Sequence, residues 1–556
     1  MKNVILSILL SISLTSCSYG QGSFSWNIGS DPATRKLNLA LSVIENYYVD
    51  TINKNQIVDD AIIFWLKKLD PHSGYMTPEE VKEMNEPLQG NFEGIGIQFN
   101  MLIDTLYVVQ VISGGPSEKV GLVAGDRILM VNDTVIAGVG MKNSDILSRL
   151  RGKKGTSVKV QVKRGNQLIP FTIVRDKIPL YSLDAAYMID KETGYISFNR
   201  FAETTYSEFM KALRELQSQG MKNLILDLQH NGGGHLTAAI EIANEFLKRG
   251  NLIVYTEGVH QKRTDELATM KGSFEEGKLV VLINEGSASA SEIVSGAIQD
   301  WDRGVIIGRR SFGKGLVQRL LPLPDGSAIK LTTAHYYTPT GRSIQKPFEK
   351  GNSEAYDMDM INRYTRGEMV TADSIHFADS LKYTTLVNKR TVYGGGGIMP
   401  DYFVPMDTTY YTDIHRALVS SGTLNRFVMS YIDKNRAILK EEYPDFIGFK
   451  SNFNVSSEML KELLQLYEAN TKKSETDSTE DEFILPEDIL VIDQKSLKDF
   501  RKSAPLIRLQ IKALVARDLW DTNEYYQIIN QENNVLKKAI EIINDTKEYN
   551  KLLRNK

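Results

Sequence analysis

Cysteine is almost missing from this chain: Cys17 is the single one in 556 residues. That excludes an intramolecular disulfide framework and any cysteine-built metal site. Proline is scarce at 16 residues, and the 41 glycines are near the ordinary fraction, so collagen, a proline-rich linker protein and wholesale disorder do not fit. No charge of one sign prevails: 66 Lys+Arg meet 69 Asp+Glu, a net charge of −3, which gives no global electrostatic reason to bind nucleic acid. After the first 20 residues no apolar run approaches the roughly 18 residues that cross a bilayer. What the chain has is length, more than one hydrophobic core usually serves, so three or more domains are expected.

Met1-Lys2-Asn3 is a short positive end, and Val4–Leu14 is an apolar stretch of signal-peptide length, too short for a membrane span. Leu14-Thr15-Ser16-Cys17 follows. It resembles the lipobox of bacterial lipoproteins, in which the cysteine becomes the lipidated mature N-terminus. The other reading is ordinary signal cleavage a few residues later. Both export the chain. We expect a lipoprotein signal peptide over 1–17, lipidation at Cys17 and a periplasmic protein anchored to a membrane, each buried methylene of the lipid contributing about 0.8 kcal/mol.

Apolar residues near a 3.6 period predict helices over 31–85, ended by the turn at Leu69–Tyr75. From about 90 to 178 the texture is β-like: Gly96–Met101, Leu106–Ile112, Arg127–Val131, Val158–Val162 and Pro170–Val174, with one helix at Ser144–Arg151. From 180 to 405 strands alternate with helices. The strands are Gly194–Ser197, Leu224–Leu228 and Leu279–Ile283; the helices are Thr205–Gln219, Leu236–Arg249 and Ser291–Trp301. That alternation predicts a mostly parallel α/β sheet. Beyond 405 the chain is charged and helical, with Thr471–Glu482 reading as a flexible linker because it lacks apolar residues.

The stretch Leu279–Gln318 carries the most chemistry. An apolar strand enters the small-residue turn Gly286-Ser287-Ala288-Ser289-Ala290 and leaves as a helix near Ser291-Glu292. A nucleophile there is exposed, and the helix start offers free N–H donors for an oxyanion. Alternatively, Ser291 is only an N-cap. Lys314 lies between Gly313 and Gly315 in a neutral-to-apolar loop, where a desolvated amine can serve as a base. Alternatively, it is a solvated lysine. Gln318, four residues on, is expected to face the same side and orient that amine.

Gly308-x4-Gly313-Lys314 begins like a phosphate loop, but Gly315 stands where Ser or Thr is required, so a nucleotide site is rejected. A second Gly-rich turn, Gln229–Gly234, follows the strand Leu224–Leu228 and offers further N–H donors. His230 and His235 suggest a triad with Asp227 or a metal, but their spacing is not a zinc spacing and no third ligand is evident. Gly94-Ile95-Gly96-Ile97 ahead of a β-like run suits a nest for a peptide carboxylate, against the plainer reading of a β-turn.

These segments together resemble the carboxy-terminal processing proteases (tail-specific proteases) of the S41 serine peptidase family. The resemblance covers roughly 65–405: LDPHSGYM (Leu69–Met76), the PDZ-like GDRILMVND (Gly125–Asp133), LILDLQHNGGG (Leu224–Gly234), VVLINEGSASASEI (Val280–Ile293), GRRSFGKGLVQ (Gly308–Gln318), HYYTPTGRSIQ (His335–Gln345) and GIMPD (Gly397–Asp401). The family's catalytic serine precedes its lysine by 25 positions, which selects Ser289 and Lys314. The resemblance also places Gln318 and the oxyanion donors Ala290 and Gly234; the nest read above assigns Ile95, Gly96 and Ile97 as carboxylate binders. Many relatives have Arg where this chain has Gln229.

It implies a multidomain α/β protein, with a crotonase/ClpP-like protease core over 179–405, an N-terminal helical region over 18–87, an inserted PDZ-like domain over 88–178 and a helical region over 406–556. The implied function is an exported serine endopeptidase that selects protein substrates by their free C-termini, without metal or cofactor, and able to form homo-oligomers or use an adaptor. The rival is a non-catalytic PDZ-containing scaffold of the envelope.

Overall fold

The computed structural model describes residues 31–101, 104–475 and 494–554. Met1–Leu14 and Cys17 therefore lie outside the described residues, as does the 476–482 part of the expected linker. Its first residues, Thr471–Glu475, end the helix Ser457–Glu475. None of the described helices is long and apolar enough to cross a membrane.

The chain divides into two units, one up to Trp65 and one from Leu66. The first holds the helix Pro32–Tyr47, opened by Asp31, whose carboxylate accepts from the Thr34 N–H at 3.0 Å. The second unit holds everything that concerns the site.

Its centre is a six-stranded sheet in the order Leu183–Met188, Thr193–Phe198, Asn223–Asp227, Leu279–Ile283, Val305–Gly308, Tyr402–Phe403. The first pair is antiparallel and the rest are parallel. Leu279–Ile283 is apolar throughout and Leu224–Leu226 is the apolar centre of its neighbour, because both faces are covered. Leu224, Leu226, Val281 and Ile283 meet the helices Thr205–Ser218, Leu236–Asn244 and Ala290–Asp300 on one face. Ile225, Val280, Leu282 and Ile307 meet Leu536, Ala539, Ile542 and Ile543 on the other. The second cover comes from the far end of the chain, Asn534–Asn544 and Thr546–Arg554. Each large aliphatic side chain buried there contributes about 1.5–3 kcal/mol.

A second sheet is antiparallel and joins Gly74–Met76, Ala328–Tyr337, Leu252–Gly258 and Gln261–Leu267, with Leu316–Pro322 also pairing to Ala328–Tyr337. The helix expected over Leu236–Arg249 stops at Asn244. There the Asn244 carbonyl-type oxygen Oδ1 accepts from Thr269 N–H and the Glu245 carboxylate from Ser273 N–H, so tertiary partners end the helix early.

The β-rich domain hangs on a two-stranded neck, Asn91–Gly94 against Asp176–Pro179. Its sheet runs Ile97–Met101, Leu106–Val111, Arg127–Val131, Ser157–Arg164, Gln167–Val174, over its own core of Leu106, Val108, Ile128, Ile146 and Val160. The opposite face, Tyr107 and Val109, packs on Met429 of the helix Thr423–Glu442, beside an Arg127–Asp433 ion pair of 2.5 Å.

Candidate active site

In parallel strands of matched register the chain leaves every strand at the same edge. Asp227 pairs with Leu282 and Ile283 with Gly308, so the loops after these three strands emerge together, where α/β sheets place their sites.

The middle loop contains three serines, and their surroundings differ. Ser287 and Ser291 are fully buried, with hydroxyls that donate to carbonyls, Ser287 to Leu228 O at 2.7 Å and Ser291 to Asn231 O at 2.8 Å. Ser289 is half-buried and has φ +56°. A non-glycine residue in that region carries about 1–3 kcal/mol of strain, which the surrounding contacts must hold in place. The turn thus presents one hydroxyl, at the mouth of the helix Ala290–Asp300.

The Gly-rich loop lies directly against this turn. A Cβ on Gly233 would fall 2.8 Å from Ser289 Cβ and 3.0 Å from Ala290 N. Asn231 ties the loops together: its carbonyl accepts from the Ala288 N–H at 3.0 Å as well as from Ser291. The N–H of Gly233 is spent on Asn231 Oδ1 at 2.9 Å. Those of Gly234 and Ala290 donate to no carbonyl among the described residues, so two donors are left unengaged in the two loops that meet at Ser289.

Lys314 sits in the third loop, largely buried. Burial and the charge of Lys330 hold its amine below the ordinary value, against the opposing pull of Glu292 and Asp70. Its main chain is fixed by Glu292, which is fully buried at the start of the helix. One oxygen of Glu292, Oε2, accepts from the N–H of Ser289 at 2.8 Å and from the N–H of Lys314 at 2.9 Å. The other, Oε1, accepts from Gly313 N–H at 2.7 Å and from the Ser311 hydroxyl at 2.5 Å. Burial pushes this carboxyl up to about 7, against the hydrogen bonds from Ser311, Lys314, Gly313 and Ser289 that favour the anion. The Tyr336 hydroxyl donates to Ser289 O at 3.2 Å and to Lys314 O. What joins Ser289 to Lys314 is thus main chain, through Glu292 and Tyr336, rather than a bond between hydroxyl and amine.

No hydrogen bond joins Gln318 to the Lys314 amine among the described residues. The pairing register shifts between Val317 and Gln318, with Thr333 of the partner strand left unpaired, so Gln318 comes opposite Thr332. The Gln318 amide donates instead to Thr332 Oγ1 at 3.3 Å, and Thr332 donates to Asp70 at 2.9 Å. Asp70 also accepts from the Ser73 hydroxyl and from the N–H groups of His72 and Ser73. His72, pushed down to about 4 by burial and by the charge of Lys314, contacts Tyr356 OH at 2.9 Å. The loop is braced further by Arg363, which donates to Ser311 O at 3.0 Å and Arg310 O at 2.8 Å.

The histidine alternatives come apart. Asp227 accepts from Tyr195 OH and from the Gln229 amide, not from a histidine, and the His230 ring lies 2.9 Å from the Asn284 amide. Among the described residues no cluster of three His, Cys, Asp or Glu could hold a metal.

Residues 192–351 match Peptidase family S41, 94–174 match the PDZ domain and 414–521 match a family of unknown function. The chain is 38% identical over 309 residues to the carboxy-terminal-processing protease of Bartonella bacilliformis, a match covering 54% of this chain and 70% of that one. The chain belongs to the carboxy-terminal processing proteases of peptidase family S41. It is a serine-type peptidase. This peptidase is also 34% identical over 323 residues to the carboxy-terminal processing protease CtpB of Bacillus subtilis, covering 57% of this chain and 66% of that one. A solved photosystem II D1 C-terminal processing protease is 28% identical, aligned over 57% of this chain and 91% of that chain with a TM-score of 0.33.

In its PDZ domain, Ile95 O accepts from the N–H and hydroxyl of Ser117, and Gly96 O from the Ile112 N–H. The N–H groups of Ile95 and Gly96 donate to no carbonyl among the described residues, and Gly96 has φ +77°. Ile97 then opens a strand, Ile97–Met101, that is the edge of its sheet.

Glu292, Asn231, Tyr336 and the Asp70–Thr332 pair escaped the sequence reading. Only Glu292 left a signal: Ser289-x-x-Glu292 at a helix start has the capping-box spacing.

Proposed function

We propose that this peptidase is exported and cleaves proteins selected by their free C-termini, with Ser289 as nucleophile and Lys314 as general base. The observation that carries the reading is the strained, half-buried Ser289 in a turn with unengaged N–H donors, with a desolvated lysine anchored to the same carboxylate. The substrate's C-terminal carboxylate accepts from the N–H groups at Ile95, Gly96 and Ile97, and its backbone extends the edge strand Ile97–Met101.

In the first step Lys314 Nζ, uncharged, takes the proton from Ser289 Oγ as that oxygen bonds to the scissile carbonyl carbon. The carbonyl oxygen becomes an oxyanion and accepts from the N–H of Ala290 and of Gly234. Lys314 then returns the proton to the amide nitrogen, the C–N bond breaks and an acyl-enzyme remains, which water hydrolyses by the same route. Gln318 acts on this site through Thr332. The parallel sheet with helices on both faces, flanked by an antiparallel sheet, supports a crotonase/ClpP-like core.

Casein incubated with wild type should be degraded. Ser289→Ala and Lys314→Ala should each lose that activity with unchanged circular dichroism; activity retained in both variants refutes the assignment. For the anchor, Cys17→Ala should lose incorporation of labelled palmitate and membrane association, and an unaltered membrane fraction would refute lipidation.

A further inference from the structure

A protease whose nucleophile and base lie on different loops must fix the distance between those loops before substrate arrives. Here the Ser289 turn belongs to the start of a helix and the Lys314 loop runs from one sheet into another. One main-chain bond joins the two loops, Phe312 N–H to Ser287 O at 2.9 Å, and it touches neither Ser289 nor Lys314. Two buried side chains join those residues themselves, from opposite sides of the peptide units. Glu292 Oε2 receives both N–H groups, and the Tyr336 hydroxyl meets both carbonyl oxygens. Glu292 Oε1 adds Gly313 and Ser311, so one carboxylate gathers four donors from two loops. Ser311 is itself held, its hydroxyl accepting from the Ile398 N–H.

We propose that Glu292 and Tyr336 are positioning residues that clamp the main chains of Ser289 and Lys314 at working distance, with Glu292 acting as the anion. The inference rests on the Ser289–Lys314 reading above and goes beyond it in saying what sets their separation. The anion suits the site as it is built: three of the four groups around the carboxylate are N–H groups, which can only donate, and the fourth, the Ser311 hydroxyl, donates as placed. A proton on Oε1 would have to reverse the Ser311 hydroxyl from donor to acceptor. The clamp also has an electrostatic consequence. Lys314 is faced by Lys330, Asp70 and His72 as well as by Glu292, and Glu292 by Tyr336 and Tyr356. Of these, Glu292 is the buried negative charge on Lys314, so removing it makes the amine easier to deprotonate.

The test measures kcat, KM and the pH profile on a C-terminally tagged unfolded substrate for full-length wild type, Glu292→Gln, Glu292→Asp, Tyr336→Phe and Ser289→Ala. Glu292→Gln keeps the shape but turns an acceptor into a donor. It should lower kcat by about 100-fold, the scale of an ångström misplacement, leave KM within about twofold, and move the acid limb of kcat to lower pH. Glu292→Asp keeps the charge and should restore the wild-type limb with part of the rate. Tyr336→Phe removes only a hydroxyl and should lower kcat by about tenfold at constant KM. A structural role alone would lower the melting temperature without moving the limb. Wild-type kcat and an unmoved limb in folded Glu292→Gln would overturn the clamp while Ser289→Ala, still inactive, left the Ser–Lys reading standing. If Glu292→Gln does not fold, Tyr336→Phe decides, and unchanged kcat there overturns the clamp. An active Ser289→Ala would remove the reading beneath it.

Discussion

Gly233 is pressed against Ser289: a Cβ on the glycine would lie 2.8 Å from the serine's own Cβ and 2.7 Å from Ala288 O. That contact brings the Gly-rich loop to the serine turn, and it exists because residue 233 has no side chain and takes φ +100°. Gly233→Ala must therefore push the turns apart and strain its own backbone. We expect loss of about 100-fold in kcat or more, with stability lowered by about 1–2 kcal/mol from the left-handed conformation alone. Urea unfolding and turnover of the purified variant measure both; a variant as active and stable as wild type would show that the loops do not touch as described.

The pH dependence follows from Lys314. Its amine must be uncharged to take a proton, and burial lowers the pH at which it becomes so. Activity should rise with pH and fall away on the acid side, where Lys314 takes up a proton and where Glu292, pushed up to about 7 and needed as the anion, does so too; in Glu292→Gln only the Lys314 part of that limb remains. His72, held to about 4, is neutral across this range and should not supply the limb. His72→Gln should keep the limb, and its loss would reassign the base.

His72 also predicts a stability effect. Unfolded, it binds a proton near 6.5; folded, it does so only near 4. The unfolded state therefore gains protons first as the pH falls, and the fold loses stability progressively from about 6.5 to about 4. The melting temperature of wild type should drop more steeply between pH 7 and 4.5 than that of His72→Gln. Parallel curves would contradict the burial of this ring.

The C-terminal helices are part of the protease core. Ile543 is fully buried against Ile225, Val280 and Leu282 of the central sheet, so Ile543→Ala should cost about 2–5 kcal/mol. A change below about 0.5 kcal/mol in chemical denaturation would mean that this face is covered otherwise.

The PDZ domain rests on the helix Thr423–Glu442 through Tyr107, Val109 and Met429, with Arg127 paired to Asp433. Met429→Ser should speed amide hydrogen exchange in Leu106–Val111 and leave Leu279–Ile283 unchanged. Equal exchange in both strands before and after would show that this contact does not steady the domain.

The elements with a local signature were legible in the sequence. Leu279–Ile283 reads as a strand from its unbroken apolar run, and Arg127–Val131 was bounded to the residue. The site was legible where a resemblance supplied spacing: the turn left three serines open, and only tertiary bonds from Ser287 and Ser291 to carbonyls of another loop distinguish Ser289. The Thr332 partner of Gln318 was not legible, because a bulge is set by the partner strand and not by the glutamine's own sequence. Asn231, Tyr336 and the cover supplied by Leu536 and Ile543 are long-range facts with no local period. Glu292 has the spacing of a capping residue and is one in part; its bonds to Gly313 and Lys314 come from a loop about 20 positions away.

The most direct test is where a fluorophosphonate lands. Treated with such a probe at alkaline pH and mapped by mass spectrometry, the protein should carry its adduct on Ser289, and Lys314→Ala should acquire it far more slowly. An adduct on Ser287 or Ser291, or labelling of Ser289 just as fast without Lys314, would contradict the account.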